Sequence, residues 1–205
     1  MHRVVRLSAA LLAVAAVAAA VMVSRHTTAR TVKAAVSAPQ TVAKEADLAV
    51  LGSGPPPSVE AAAGWLNTEP LTDASLRGKV VLYEFWTFAC INCQHTLSHV
   101  KAWQQRYAGD GLTIVSIHTP EFDFEADPEN VGEYVDDNEI TYPVALDPGR
   151  DVWRAWDNHY WPAFYLYDAN GRLRVRHFGE GSYDSTEDAI RALLNVDAAS
   201  RRADA

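Results

Sequence analysis

Cys90 and Cys93 are the only two cysteines in a chain of 205 residues, and Ile91-Asn92 separates them. Two thiols at this spacing can close a small disulfide ring and open it again, so the pair is suited to two-electron sulfur chemistry. Other chemistries use the same spacing. Haem attachment needs a histidine directly after the second cysteine, and Gln94 stands there. A closed zinc site needs four ligands, and only His95 and His99 lie near, on other faces of the same helix. An inert cross-link stays open as an alternative.

The elements that must hold the pair are legible on either side of it. Val80-Val81-Leu82-Tyr83-Glu84-Phe85-Trp86 is apolar, β-branched and aromatic, the composition of a buried strand. Thr87-Phe88-Ala89 turns the chain, and a helix is expected to about Tyr107 with both cysteines on its first turn. Cys93, Leu97, Val100, Gln104 and Tyr107 recur near helical spacing and form the expected inner face. At a helix start, unpaired backbone N–H groups favour a thiolate over a thiol. Alternation along the strand sets Leu82, Glu84 and Trp86 on one face, so the Glu84 carboxyl is expected in apolar surroundings. Burial without a partner raises a carboxyl pKa and equips the group to pass protons near neutrality.

Further along, Leu112 to Ile117 reads as a second buried strand, and Asp127-Pro128 as a helix start with Val131, Tyr134 and Val135 inward. Tyr142 to Leu146 is a third strand and Asp151 to Trp156 a short helix. Residues 163–167 and 173–178 flank Asn170-Gly171, which favours a two-residue hairpin turn. A closing helix from Asp184 to Leu194 is expected to pair Asp184 with Glu187 in a capping box. Trp65-Leu66 and Leu71 predict a lead-in hairpin before Arg77-Gly78-Lys79. The fold class is α/β, with a mixed central sheet flanked by helices.

Charge is unevenly placed. Six Lys/Arg against Glu45 and Asp47 leave residues 1–59 at +4, and with the whole chain at −8, residues 60–205 carry −12. An acidic globular part disfavours nucleic acid, whose phosphates need clustered Lys and Arg. Residues 7–23 form an uncharged Ala- and Val-rich run behind Arg3 and Arg6, the layout of a signal peptide or signal anchor in membrane contact. The expected organisation is 1–23 leader or anchor, 24–58 flexible linker, 59–196 globular domain and 197–205 disordered tail. Such a leader implies an extracytoplasmic location, periplasmic or on the outer face of the membrane, anchored or secreted, where a lone close pair can cycle between dithiol and disulfide.

With the strand, the CxxC opening a helix, Trp161-Pro162 entering a hairpin and Phe178-Gly179 at its end, the chain resembles the thioredoxin-like family. Phe85-Trp86-Thr87, Cys90-Ile91-Asn92-Cys93, His118-Thr119-Pro120-Glu121-Phe122, Tyr160-Trp161-Pro162-Ala163 and Phe178-Gly179-Glu180-Gly181 are similar to the thioredoxin-like domain of the fused CcdA-thioredoxin proteins called DipZ. The longer stretch before Pro162 resembles the membrane-tethered TlpA and ResA group and implies an inserted strand and helix. The resemblance implies a thiol-disulfide oxidoreductase acting on protein thiols and disulfides, with Cys90 as nucleophile and Cys93 resolving. It places Glu84 beneath the dithiol as a catalytic proton relay, makes Pro162 cis, and sets Trp86, Trp161, Pro162 and Gly179 around a substrate groove. It implies no cofactor beyond the redox-active Cys90–Cys93 disulfide, no metal, a reducing direction, and electrons from a separate CcdA/DsbD-like membrane protein. Ile91-Asn92 departs from the Gly-Pro of thioredoxin, and Ala89 stands where thioredoxin has a second tryptophan.

Two further readings compete. A peroxiredoxin-like peroxidase is suggested by Thr87 three residues before Cys90, although Tyr83 occupies the place of that motif's proline. A Sco-like copper module would join both cysteines to a remote histidine such as His159, with a cysteine spacing one residue too short. His95, His99, His118, His159 and His177 are scattered and read as surface or packing residues.

Overall fold

The computed structural model describes residues 48–196, so the leader at 1–23, residues 24–47 of the linker and the tail at 197–205 lie outside the described residues. Strand β3 (Val80–Trp86) is buried along its whole length. It pairs in parallel with β4 (Leu112–His118) and antiparallel with β6 (Ala163–Tyr167). A strand flanked on both edges and covered on both faces needs a nearly continuous apolar run, which explains its composition. Among the described residues the sheet has seven strands: β1 (Gly52–Ser53), β7 (Arg172–Phe178), β6, β3, β4, β5 (Val144–Leu146) and β2 (Gly64–Leu66), in that order.

The alternating side chains of β3 feed two cores. Leu82, Trp86, Cys93, Val100, Trp103, Val131 and Ile190 join one face of the sheet to helices α2 (Ile91–Tyr107), α3 (Pro128–Asp137) and α5 (Tyr183–Leu194). On the other face Tyr83, Phe85 and Ile117 meet Leu76 of α1 (Asp73–Leu76) and Val152, Trp153 and Trp156 in and just beyond α4 (Asp151–Ala155). Phe85 packs edge-on to Trp153 at 5.9 Å, Trp156 at 5.5 Å and Tyr165 at 6.0 Å, the geometry that aromatic quadrupoles prefer. Asp127 caps α3 through the Glu129 N–H, with Pro128 at its first position, as expected. No helix among the described residues is long and apolar enough to cross a membrane.

Several expectations need correction. The lead-in hairpin does not form: β2 pairs antiparallel with β5. Asn67, at φ 65°, turns the chain and its side-chain amide donates to the carbonyls of Ile140 and Tyr142, so residues 64–66 are held to a distant segment. The hairpin after β6 has four residues between its strands, Asp168 to Gly171, and not a two-residue turn, because Gly171 takes a positive φ and Asn170 does not, whereas a type I′ turn needs both. Helix α5 starts after Ser182 without a side-chain cap, and Glu187 reaches across to α2, receiving bonds from Trp103, Arg106 and Tyr107. On α2, Thr96 and Trp103 are buried where Leu97 and Gln104 were expected. The expected linker boundary at 58 also moves. Leu51 N–H donates to the Leu173 carbonyl, Gly52 and Ser53 pair with Leu173 and Arg172, and Arg174 donates to the carbonyls of Leu48 and Ala49. Arg174 is itself buried against Asp168 at 2.8 Å, so residues 48–53 belong to the domain.

Candidate functional site

Where β3 ends, the chain turns through Thr87-Phe88-Ala89, and Cys90 becomes the N-cap of α2. The Cys90 N–H donates to the Thr87 carbonyl at 3.3 Å and its carbonyl accepts from Gln94 N–H at 3.0 Å. Both cysteines are free. Cys90 is partly exposed and Cys93, one turn in, is only 3 % exposed. Burial pushes the Cys93 thiol far up, with Cys90 and Glu84 adding to the rise and the Thr87 backbone N–H opposing it. The structure thus separates the pair into an accessible sulfur and a sheltered one held as a thiol.

Glu84 sits where the alternation places it, 3 % exposed and on the Cys93 side of the sheet. Burial raises its pKa from 4.5 to about 7, and the Ser116 hydroxyl, donating at 2.9 Å, opposes the rise without cancelling it. Its charge is felt by Cys93, Tyr134 and Tyr142, all of which burial also pushes up. A carboxyl that titrates near neutrality beside a sheltered thiol can take and return that thiol's proton.

The Trp161–Pro162 bond is cis, and Gly179 N–H donates to the Pro162 carbonyl at 2.8 Å, joining the two segments expected at the groove. Gly179 has φ 81°, a backbone region that favours glycine, and its missing side chain leaves open space. Trp161 is partly buried, donates to the Thr119 carbonyl at 3.0 Å and lies 4.2 Å from Trp153. Trp86 departs from expectation. It is buried against His118 and Tyr134, so it supports the dithiol from below and does not line a groove.

Two residues at the site, Glu125 and His118, had no site role in the sequence reading. Glu125, 1 % exposed, accepts from the Thr87 hydroxyl at 2.5 Å and the Ala89 N–H at 2.9 Å through one oxygen. Its other oxygen accepts from the N–H groups of Glu121 at 2.8 Å and Phe122 at 2.9 Å. Burial acts to raise the Glu125 pKa, but these donors together hold it below the usual carboxylate value. His118, read as a surface or packing histidine, is buried. Its Nε2 accepts from Phe88 N–H at 3.4 Å and lies 3.3 Å from the Thr87 hydroxyl oxygen. Desolvation lowers its pKa from 6.5 to about 4 against the pull of Glu125, so the ring is neutral. Nothing in the alternation Glu121-Phe122-Asp123-Phe124-Glu125 says which carboxylate turns inward; that follows from the 3-10 turn Asp123–Ala126.

The remaining histidines engage elsewhere. His95 meets Glu180 at 3.2 Å, His99 stacks on Tyr183 at 3.6 Å, and His159 meets Asp157 at 3.1 Å. The Thr87 hydroxyl, which a peroxidase reading would direct at the substrate, is bound to Glu125. A cavity of about 110 Å³ opens beside His118, Glu125, Asp147 and Leu146, and neither cysteine lines it. Cys90 is itself partly exposed, and the described surface also exposes Ile91, the stacked pair Phe122 and Phe124, and the Tyr160–Phe178 pair.

Comparison with known proteins agrees with this geometry. Protein DipZ of Mycobacterium tuberculosis is 47 % identical over 145 residues, which cover 69 % of this chain and 21 % of that protein, so the chain spans about a fifth of that relative's length. The thiol-disulfide oxidoreductase YkuV of Bacillus subtilis is 31 % identical over 127 residues, covering 62 % of this chain and 84 % of that one. A solution structure of a thioredoxin-like protein in the oxidized form superposes with a TM-score of 0.62 at 30 % identity, covering 69 % of this chain and 95 % of that one. With residues 56–176 matching its sequence pattern and a thioredoxin-like fold around the cysteine pair, the chain belongs to the AhpC/TSA family.

Proposed function

We propose that the protein is an extracytoplasmic thiol-disulfide oxidoreductase that reduces disulfides of protein substrates, recharged by a separate CcdA/DsbD-like membrane donor. The observation that carries the reading is the partly exposed Cys90 above the buried Cys93, with Glu84 titrating near neutrality on the same side of the sheet. The Cys90 thiolate attacks one sulfur of a substrate disulfide, forming a mixed disulfide and releasing the other substrate sulfur as a thiolate. Glu84 takes the Cys93 proton, and the Cys93 sulfur attacks Cys90 Sγ. The second substrate thiolate leaves, and two electrons have passed to the substrate while Cys90 and Cys93 close a disulfide. The thiol-disulfide oxidoreductase name of YkuV supports the activity. The likeness to DipZ supports protein thiols as substrates and a membrane electron source. The partial exposure of Cys90 leaves its sulfur within reach of a substrate disulfide. Trp161, Pro162 and Gly179 form the substrate-facing backbone, and the run at 7–23 underlies the location.

The test is a Cys93→Ser trap. Its Cys90 should hold protein substrates in mixed disulfides that dithiothreitol releases, and the wild-type domain should speed insulin reduction by dithiothreitol. A trap that captures nothing, together with a wild-type pair that neither opens nor closes in glutathione buffers, overturns the reading.

A further inference from the structure

The Thr87 carbonyl accepts the Cys90 N–H, and the Thr87 backbone N–H works against the rise that burial imposes on the Cys93 thiol. Its hydroxyl and the N–H of Ala89, the residue before Cys90, converge on one oxygen of Glu125. The other Glu125 oxygen is bound to the N–H groups of Glu121 and Phe122. One buried carboxylate therefore ties the turn that presents the cysteines to the loop carrying Phe122 and Phe124, whose Phe124 ring lies 5.7 Å from Phe88 of that turn.

We propose that Glu125, acting through Thr87, is the positioning residue of the dithiol, fixing the turn from which Cys90 attacks and the distance at which Cys93 answers. The proposal rests on the dithiol exchange described above and adds a part to it. All four partners of Glu125 donate, so only a group accepting on both oxygens satisfies them. A glutamine in its place turns an NH2 towards two of these donors and must release either the turn or the loop. A nucleophile displaced by about 1 Å can lose about a hundredfold in rate, so partial release should be costly. Because the carboxylate acts through the Thr87 hydroxyl, removing the hydroxyl should mimic removing the charge.

The experiment compares wild type, Glu125→Gln, Thr87→Val and the double variant. The readouts are insulin reduction, the rate of Cys90 alkylation by iodoacetamide at fixed pH, and the dithiol-disulfide equilibrium constant in glutathione buffers, with circular dichroism to establish folding. Each single variant should lose about tenfold or more in reduction rate and shift the equilibrium constant at least fivefold. The double variant should be no more than about twofold worse than the poorer single one, since both act on one route. Wild-type alkylation and equilibrium constants in a folded Glu125→Gln, or losses that multiply in the double variant, overturn the proposal. If Glu125→Gln does not fold, Thr87→Val decides by the same readouts. A wild-type protein that cannot cycle its cysteines counts against the proposed function, and so the two failures are distinguishable.

Discussion

Glu84 and His118 lie on neighbouring strands with opposite proton preferences, and their opposition has a measurable result. The folded state binds a proton on Glu84 between pH 4.5 and about 7 that the unfolded chain has released. Its contribution is therefore complete below pH 4.5 and is lost as pH rises through about 7, by about 3 kcal/mol if the whole shift is realised. His118 behaves the other way: between pH 6.5 and about 4 the unfolded chain is protonated and the folded ring is not, so stability falls with falling pH. Over their shared window the two slopes offset each other. Glu84→Gln should uncover the His118 slope, gaining on wild type by about 3 kcal/mol between pH 4.5 and 8 in urea unfolding. Wild-type turnover should rise through pH 7 as Glu84 gives up its proton, and the same variant should lose that rise. The position of Glu84 was legible because strand alternation is local. Thr87, His118 and Glu125 were not, because their meaning comes from a contact 38 residues apart in the chain.

At the scale of elements, strands were legible where an apolar run filled the whole element, as in β3 and β4, and α3 was legible from its Asp127-Pro128 start and its inward Val131 and Val135. Ends and partners were less so. Glu187 illustrates the reason: its sequence position suits a capping box, yet its carboxylate is drawn to Trp103, Arg106 and Tyr107 on α2, about 80 residues away. A group offered three donors on a neighbouring helix gains more than one local N–H returns. Glu187→Ala should therefore cost about 1–3 kcal/mol in urea unfolding. A capping role alone would leave the Trp103 environment unchanged, so a shift in its fluorescence separates the two. The Asn170-Gly171 turn failed for a related reason. Asp168 accepts from the N–H groups of Asn170 and Arg172 and fixes a longer loop.

For the whole molecule, the two-faced sheet was legible from strands alternating with helices, but the point where the domain begins was not. A stretch that shows no sustained period and ends in Gly and Pro reads as linker whether or not the sheet edge captures it, and here Arg174 decides by gripping the Leu48 and Ala49 carbonyls from its buried place beside Asp168. Asp168→Ala should cost about 3 kcal/mol, as expected when one member of a buried ion pair is removed. It should also raise amide exchange across residues 51–53 well before the core opens. The same edge has a geometric consequence. The captured segment meets β7 at Arg172 and Leu173, while Phe178, at the other end of the strand, adjoins the cis-proline. Six steps of about 3.3 Å separate those ends, roughly 20 Å. Residues 51–53 thus join the sheet at the heel of β7, while the cis-proline sits at its toe.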